Sequence, residues 1–123
     1  MAYDVEWSTE ATADLDNAVT YLSMRLRRPH AASALFDRAE AATGKIASCP
    51  LALPMVSDAY LARRGYRRAM AGDYLLIFRM IEERASIVDG KVERRGEKDD
   101  GLIRVLRVFR AGQDYPSVIR HRP

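Results

Sequence analysis

The first 48 residues carry a strand pattern followed by two helix patterns. In residues 3–7 (YDVEW), apolar residues alternate with acidic ones, which is typical of a half-buried strand. Ser8 is a suitable helix N-cap, and apolar residues then recur every three or four positions as far as Leu26, which predicts an amphipathic helix. Pro29 is placed to open a second helix, whose apolar repeat ends near Ser48. Together the two helix patterns predict an αα-hairpin.

In the second half of the chain the pattern changes to that of strands. Three stretches, residues 65–70, Tyr74–Ile81 and Leu102–Arg110, predict strands, and the middle one is apolar enough to lie at the centre of a sheet. Residues 89–101 are dense in both charges, contain three glycines and lack periodicity. That segment is therefore predicted to be a mobile loop between two paired strands.

The order of these patterns is β-α-α-β-β-β. It predicts an α+β fold in which the αα-hairpin packs on a small, mainly antiparallel sheet. Strict alternation in the last strand would put Val105 and Arg107 on one face and Val108 on the other. Neither face is purely apolar, so we expect helices to cover one face and the other to be partly exposed. No internal repeat or linker appears, so residues 1–123 are expected to form a single domain.

Basic charge is concentrated in the second half of the chain. Residues 1–60 carry five Lys or Arg against eight Asp or Glu, a net charge of −3, whereas residues 61–123 carry fifteen against nine, a net charge of +6. Seventeen of the twenty basic residues are arginine, which binds carboxylate or phosphate in a bidentate manner. This asymmetry indicates an anionic partner.

Composition and motifs exclude several classes of protein. No apolar run reaches the length of about 20 residues that a membrane span needs, and the acidic N-terminal residues do not form a signal peptide. Cys49 is the only cysteine, so there is no internal disulfide, and these features favour the cytoplasm. We find no phosphate-binding loop, dinucleotide fingerprint, zinc-ligand pair or nucleophile elbow. The sequence therefore predicts no catalytic residue, cofactor, metal or small-molecule substrate.

Four groups of short motifs follow one another along the chain. They are Ser8-Thr9-Glu10-Ala11 with Asp14-Leu15, Tyr66-Arg67-Arg68, Tyr74 through Arg79, and Arg104-Val105 with Gln113-Asp114. In this order and spacing they resemble the RelE/ParE superfamily of toxins from type II toxin–antitoxin operons. The resemblance extends from about Tyr3 to Tyr115. It implies the same fold and a cognate antitoxin as partner.

The resemblance implies one of two activities, since RelE-like members cleave mRNA on the ribosome and ParE-like members inhibit DNA gyrase. The nuclease branch usually carries an arginine just after the aromatic residue that opens the third strand, and Leu75 occupies that place here. Cations for a cleavage site are plentiful, but a general base for the 2′-hydroxyl is not evident. The resemblance therefore favours a ParE-like gyrase inhibitor of the plasmid-stabilisation type, which acts by binding. The alternatives are a ribosome-dependent mRNA endoribonuclease and a degenerate, non-toxic member that only binds its antitoxin.

The arginines beside the apolar strands are expected to face a partner. In this superfamily the antitoxin supplies an extended, often acidic segment, which such a surface would attract. The candidate residues for binding the target or the antitoxin are Arg67, Arg68, Tyr74, Arg79, Arg104, Arg107, Arg110, Gln113 and Tyr115. The alternative is that Arg67 and its neighbours pair with acidic residues of the helices and only stabilise the fold.

Overall fold

The helical hairpin and the sheet form where the sequence patterns predict them. A computed structural model describes residues 3–82, 86–88, 91–93 and 101–120. The helices are α1 (Thr9–Thr20), α2 (Pro29–Ser48), α3 (Ala59–Arg63) and α4 (Tyr115–Arg120), and the strands are β1 (Asp4–Trp7), β2 (Arg67–Ala71), β3 (Tyr74–Glu82), β4 (Ser86–Val88), β5 (Lys91–Glu93) and β6 (Leu102–Arg110). The predicted α+β fold class is confirmed, and α3, α4 and the β4–β5 pair are additions to the predicted order.

The ends of the hairpin helices follow the local chemistry of the chain. Ser8 caps α1, because its Oγ accepts a hydrogen bond from the Ala11 N–H at 2.9 Å. Pro29 opens α2, at a position where its missing N–H costs nothing. Between the two helices lies a π-helical turn, Tyr21–Arg25, and Arg27 then adopts a left-handed conformation with a φ of 51°. The chain thus reverses direction within a short connection, as the hairpin prediction requires.

The main sheet has four strands in the order β1-β6-β3-β2. β1 runs parallel to β6, and the other neighbours are antiparallel. β4 and β5 form a separate antiparallel pair. The prediction of a loop over residues 89–101 was therefore wrong at Lys91–Glu93, which pairs with Ser86–Val88. The rest of that segment, apart from Gly101, lies outside the described residues.

Helices cover both faces of the sheet. The first core cluster lies between the sheet and the α1–α2 hairpin and includes Ile46 and Phe78. The second lies on the opposite face, where Leu61 of α3 and Ile119 of α4 pack near Ile77. Phe78 and Ile77 are 1% and 0% exposed, so β3 is buried on both faces, which explains its continuous apolar sequence.

A β-bulge in β6 decides which of its residues face the hairpin. Ile77 pairs with Arg107 and Phe78 pairs with Val105, so Leu106 is an extra residue opposite β3. Val105 and Val108 therefore both reach the first core cluster, although they are three positions apart. The strict alternation predicted for this strand was wrong beyond Val105, because a period of two cannot reveal an inserted residue.

Beyond β1, the edge of β6 is closed by side chains of α1 and its N-cap. β1 pairs with β6 only as far as Val105. The Ser8 hydroxyl donates to the Leu106 carbonyl at 2.7 Å, and the Asp14 carboxylate accepts a hydrogen bond from the Val108 N–H at 2.9 Å. These two side chains satisfy backbone groups that a neighbouring strand would otherwise satisfy.

Asp14 also binds the side chain of Arg107 through two hydrogen bonds. Arg107 Nε lies 2.8 Å from Oδ2 of Asp14, and Nη2 lies 3.1 Å from Oδ1. The side chains of Arg107 and Asp14 are only 17% and 18% exposed. The hydrogen bond to Asp14 raises the pKa of Arg107, while burial acts in the opposite direction. Because the pKa is raised, the contribution of protonated Arg107 to stability is lost as the pH rises through the arginine range.

Removing the Asp14 carboxylate should destabilise the fold more than removing a neighbouring one. We expect Asp14→Ala to lower the free energy of unfolding by about 3 kcal/mol, because the Val108 N–H and the Arg107 guanidinium both lose their acceptor. Asp16→Ala removes an exposed carboxylate from the same helix and should change it by about 0.5 kcal/mol or less. Urea unfolding followed by circular dichroism measures both values, and equal losses would contradict the role given to Asp14.

The turn between β2 and β3 requires a glycine. Gly72 has a φ of 62°, and a Cβ there would lie 3.0 Å from Nη1 and 3.3 Å from Cδ of Arg38. Gly44, in contrast, lies inside α2, and a Cβ added to it would meet no atom within 4 Å. A glycine-to-alanine substitution should therefore destabilise the fold at Gly72 and stabilise it at Gly44.

We expect Gly72→Ala to lower the free energy of unfolding by about 1–2 kcal/mol, since an L-residue is strained in the left-handed region. Gly44→Ala should raise it by about 0.5–1 kcal/mol, because alanine restricts the unfolded chain and favours the helix. Urea unfolding of the two variants and of the parent protein measures these changes, which appear as shifts of the unfolding midpoint. A Gly72→Ala protein as stable as its parent would show that the turn tolerates a side chain.

Candidate functional site

A groove crosses the end of the sheet where the β2–β3 turn approaches the end of β6. Its outer part, about 340 Å³, lies between α1, β3 and β6, and its inner part, about 210 Å³, lies between the helical hairpin and the β2–β3 turn. Three residues line both parts and make them continuous, namely Tyr21, Tyr74 and Arg110. We refer to the whole surface as the hairpin groove.

Four of the residues predicted to bind a partner meet in the hairpin groove. Tyr74 opens β3 and pairs with Arg110 at the end of β6, so the register of the sheet brings the two together. The Gln113 side-chain oxygen accepts a hydrogen bond from the Arg110 N–H at 3.3 Å and holds the turn after β6. Arg107 lines the outer part beside Asp14.

Two further arginines line the inner part of the groove and were not predicted from the sequence. Arg28 lies in the connection between the hairpin helices, and Arg38 lies on α2. They belong to the acidic half of the chain, whereas the charge pattern indicates the strands of the basic half. A signal was present for Arg38, because it follows the buried Leu35 by one helical turn and so lies at the border of the apolar face of α2.

The arginines of the groove differ in whether their charge is already matched. Arg107 is paired with Asp14. Arg28, Arg38 and Arg110 are exposed, and within the described part of the chain none of the three forms an ion pair. The walls of the inner part also contain aliphatic side chains and one carboxylate: Leu22, Leu26, Leu35 and Asp73. The surface therefore combines available positive charge with apolar contact area.

Two of the predicted residues connect β2 to the segment that precedes α3. Arg67 Nη1 donates to the Leu53 carbonyl at 2.6 Å, and the Arg68 backbone N–H donates to the Pro54 carbonyl at 3.0 Å. The Nε of Arg68 is buried and has no hydrogen-bond partner among the residues that the structure describes. The described contacts of Arg67 and Arg68 thus lie within the protein and away from the groove.

The last three predicted residues lie elsewhere on the sheet. Arg104 forms an ion pair with Glu6. Arg79 stacks over a tyrosine on the face opposite the hairpin. Tyr115 is 7% exposed and stacks on Phe109 with 5.8 Å between the ring centroids, so it packs in the second core cluster. Strand periodicity alone could not distinguish these environments.

Two further properties concern only the described residues. Over residues 3–82, 86–88, 91–93 and 101–120, no three His, Cys, Asp or Glu residues are grouped so that they could hold a metal ion. Over the same ranges, the structure contains no helix with the length and apolar character needed to cross a membrane.

Comparison with known proteins identifies the family. The chain matches the family model described as ParE toxin of type II toxin-antitoxin system, parDE, over residues 5–115. None of the curated protein sequences compared with it is similar enough to match. A solved chain of the chromosomal ParDE TA system from P. aeruginosa has a similar fold, with a TM-score of 0.57 and 17% sequence identity over 89% of this chain and 96% of that chain. The resemblance found in the motifs is thus confirmed, and the chain belongs to the ParE toxin family of type II toxin–antitoxin systems.

Proposed function

We propose that this chain is a toxin that stops growth by binding DNA gyrase in the cytoplasm, and that a cognate antitoxin neutralises it. Residues 1–123 would act as one toxin domain, as in plasmid-stabilisation systems. Membership of the ParE toxin family supports the toxin role, and the similar P. aeruginosa chain belongs to a ParDE TA system, which supports an antitoxin partner. The observation that carries the proposal is the hairpin groove.

The hairpin groove suits an extended acidic segment of the antitoxin. Arg28, Arg38 and Arg110, which form no ion pair with another described residue, come from separate elements and would each bind a carboxylate, which steers the encounter. Aliphatic side chains of such a segment would pack against Leu22 and Leu26, and this burial of apolar surface would supply most of the affinity. The groove therefore offers both parts of a peptide-binding surface.

Binding, and not cleavage of RNA, is the activity that the described residues favour. Leu75 stands where the nuclease branch carries an arginine. It is 8% exposed and packs in the second core cluster, so that position offers no cation to a phosphate group. Asp14, a carboxylate in the groove, is already engaged by Arg107 and by the Val108 N–H.

Expression of this chain alone should arrest bacterial growth, and purified protein should inhibit supercoiling by gyrase. It should leave ribosome-bound mRNA intact, because it acts by binding. Growth curves, a plasmid supercoiling assay and mapping of mRNA ends on programmed ribosomes measure the three effects. Normal growth at confirmed expression would overturn the toxin role, and codon-specific cuts without an effect on gyrase would make the chain a nuclease.

Reversing charge in the hairpin groove should prevent neutralisation. We expect the double variant Arg38→Glu/Arg110→Glu to remain toxic when it is co-expressed with the antitoxin encoded beside it, because an acidic segment is now repelled. Arg25→Glu/Arg63→Glu changes the net charge equally at exposed positions outside the groove and should still be rescued. If the antitoxin rescued both variants equally, its binding site would lie elsewhere.

A further inference from the structure

Two arginines on the face opposite the hairpin stack on tyrosines. The Cζ of Arg64 lies 3.9 Å from the centroid of the Tyr60 ring, and the Cζ of Arg79 lies 5.0 Å from the centroid of the Tyr66 ring. The two pairs are neighbours, because only Gly65 separates Arg64 from Tyr66 and the Tyr66 N–H is bonded to the carbonyl of Leu61 in α3. We call these four residues the Arg–Tyr face.

The sheet register places the Arg–Tyr face away from the hairpin groove. Arg79 follows Leu75 and Ile77 at alternate positions of β3, and those two residues belong to the second core cluster beneath α3. Arg79 is also five residues from Tyr74 along β3, which corresponds to about 16 Å. A ligand of the Arg–Tyr face would therefore not occupy the groove.

The charge of these arginines is not cancelled by their partners. Arg104 lies directly opposite Arg79 in the sheet, and its charge is matched by Glu6. A tyrosine ring holds a guanidinium over its face without neutralising it, so the N–H groups at the edge of the guanidinium plane stay available. Within the described ranges, neither Arg64 nor Arg79 forms an ion pair. The stacks therefore present two oriented positive charges.

We propose that the Arg–Tyr face binds the phosphate backbone of a nucleic acid. Two planar cations on neighbouring segments suit a ligand with regularly repeated anionic groups. The aliphatic residues beneath, Leu61 and Ile77, are 1% and 0% exposed, so the surface consists mainly of guanidinium and phenol groups. An acidic peptide would make fewer apolar contacts here than in the hairpin groove. A phosphate backbone binds mainly through its charges and needs few apolar contacts. This adds direct nucleic-acid contact to the proposed action on gyrase.

The test is a titration of fluorescently labelled nucleic acid with the purified full chain at several salt concentrations. One arm uses a 20-bp DNA duplex and the other a single-stranded RNA, so the two sources of phosphodiester are distinguished. The logarithm of the binding constant falls linearly with that of the salt concentration, by about 0.9 per phosphate contact on duplex DNA. Arg64→Gln/Arg79→Gln should lower the magnitude of that slope by about 1.8. Arg25→Gln/Lys45→Gln removes the same charge from the hairpin and should leave the slope unchanged.

Three results would overturn the proposal. They are the absence of binding to both nucleic acids at low salt, an equal loss of slope in the two double variants, and an unchanged slope in Arg64→Gln/Arg79→Gln. If that variant does not fold, as judged by circular dichroism, the single variant Arg64→Gln, at an exposed position just after α3, replaces it, with an expected change in slope of about 0.9. The assay contains neither gyrase nor antitoxin, so its outcome is independent of the toxin assays.

Discussion

The arrangement of the molecule depends on how the open edge of β6 is closed. β6 is longer than its parallel neighbour β1, so on that side its last residues have no strand beside them. Ser8 provides the missing donor and Asp14 the missing acceptor from outside the sheet, and Asp14 also fixes the guanidinium of Arg107. The polar side chains of Ser8 and Asp14 therefore set where α1 lies against the sheet. Since α2 follows α1 through a tight connection, they also set the walls of the hairpin groove.

Features decided by neighbouring residues could be predicted from the sequence, and features decided by distant ones could not. The Ser8 cap and the start of α2 at Pro29 depend on local chemistry, and the structure confirms both. The bulge at Leu106 depends on how β6 pairs with β3, so the alternation of residues in the sequence does not predict it. The helical repeat of α1 does not predict that Asp14 faces the sheet, because its partners Arg107 and Val108 are more than 90 residues away in the sequence.

The candidate site shows the same division. The sequence identified the arginine-rich strands, but the environment of each arginine follows from its partner in space. Arg107 faces a carboxylate, Arg79 faces an aromatic ring and Arg110 is exposed. These three residues have the same chemistry and the same strand context, so only the tertiary structure separates a fold-stabilising charge from one that is available to a partner. Arg28 and Arg38 line the site because the hairpin lies over the β2–β3 turn.

The position of β6 also governs when the sheet can be completed during synthesis. β6 lies between β1 and β3 in the sheet, yet it is the last strand that the structure describes. A nascent chain that ends before Leu102 holds both flanking strands but nothing to join them, and neither the groove nor the second core cluster can form. Domains fold as units while they leave the ribosome, so the sheet stays incomplete until β6 has emerged. The topology thereby couples the hairpin groove to completion of the sheet, so a chain that lacks β6 presents no groove to a partner.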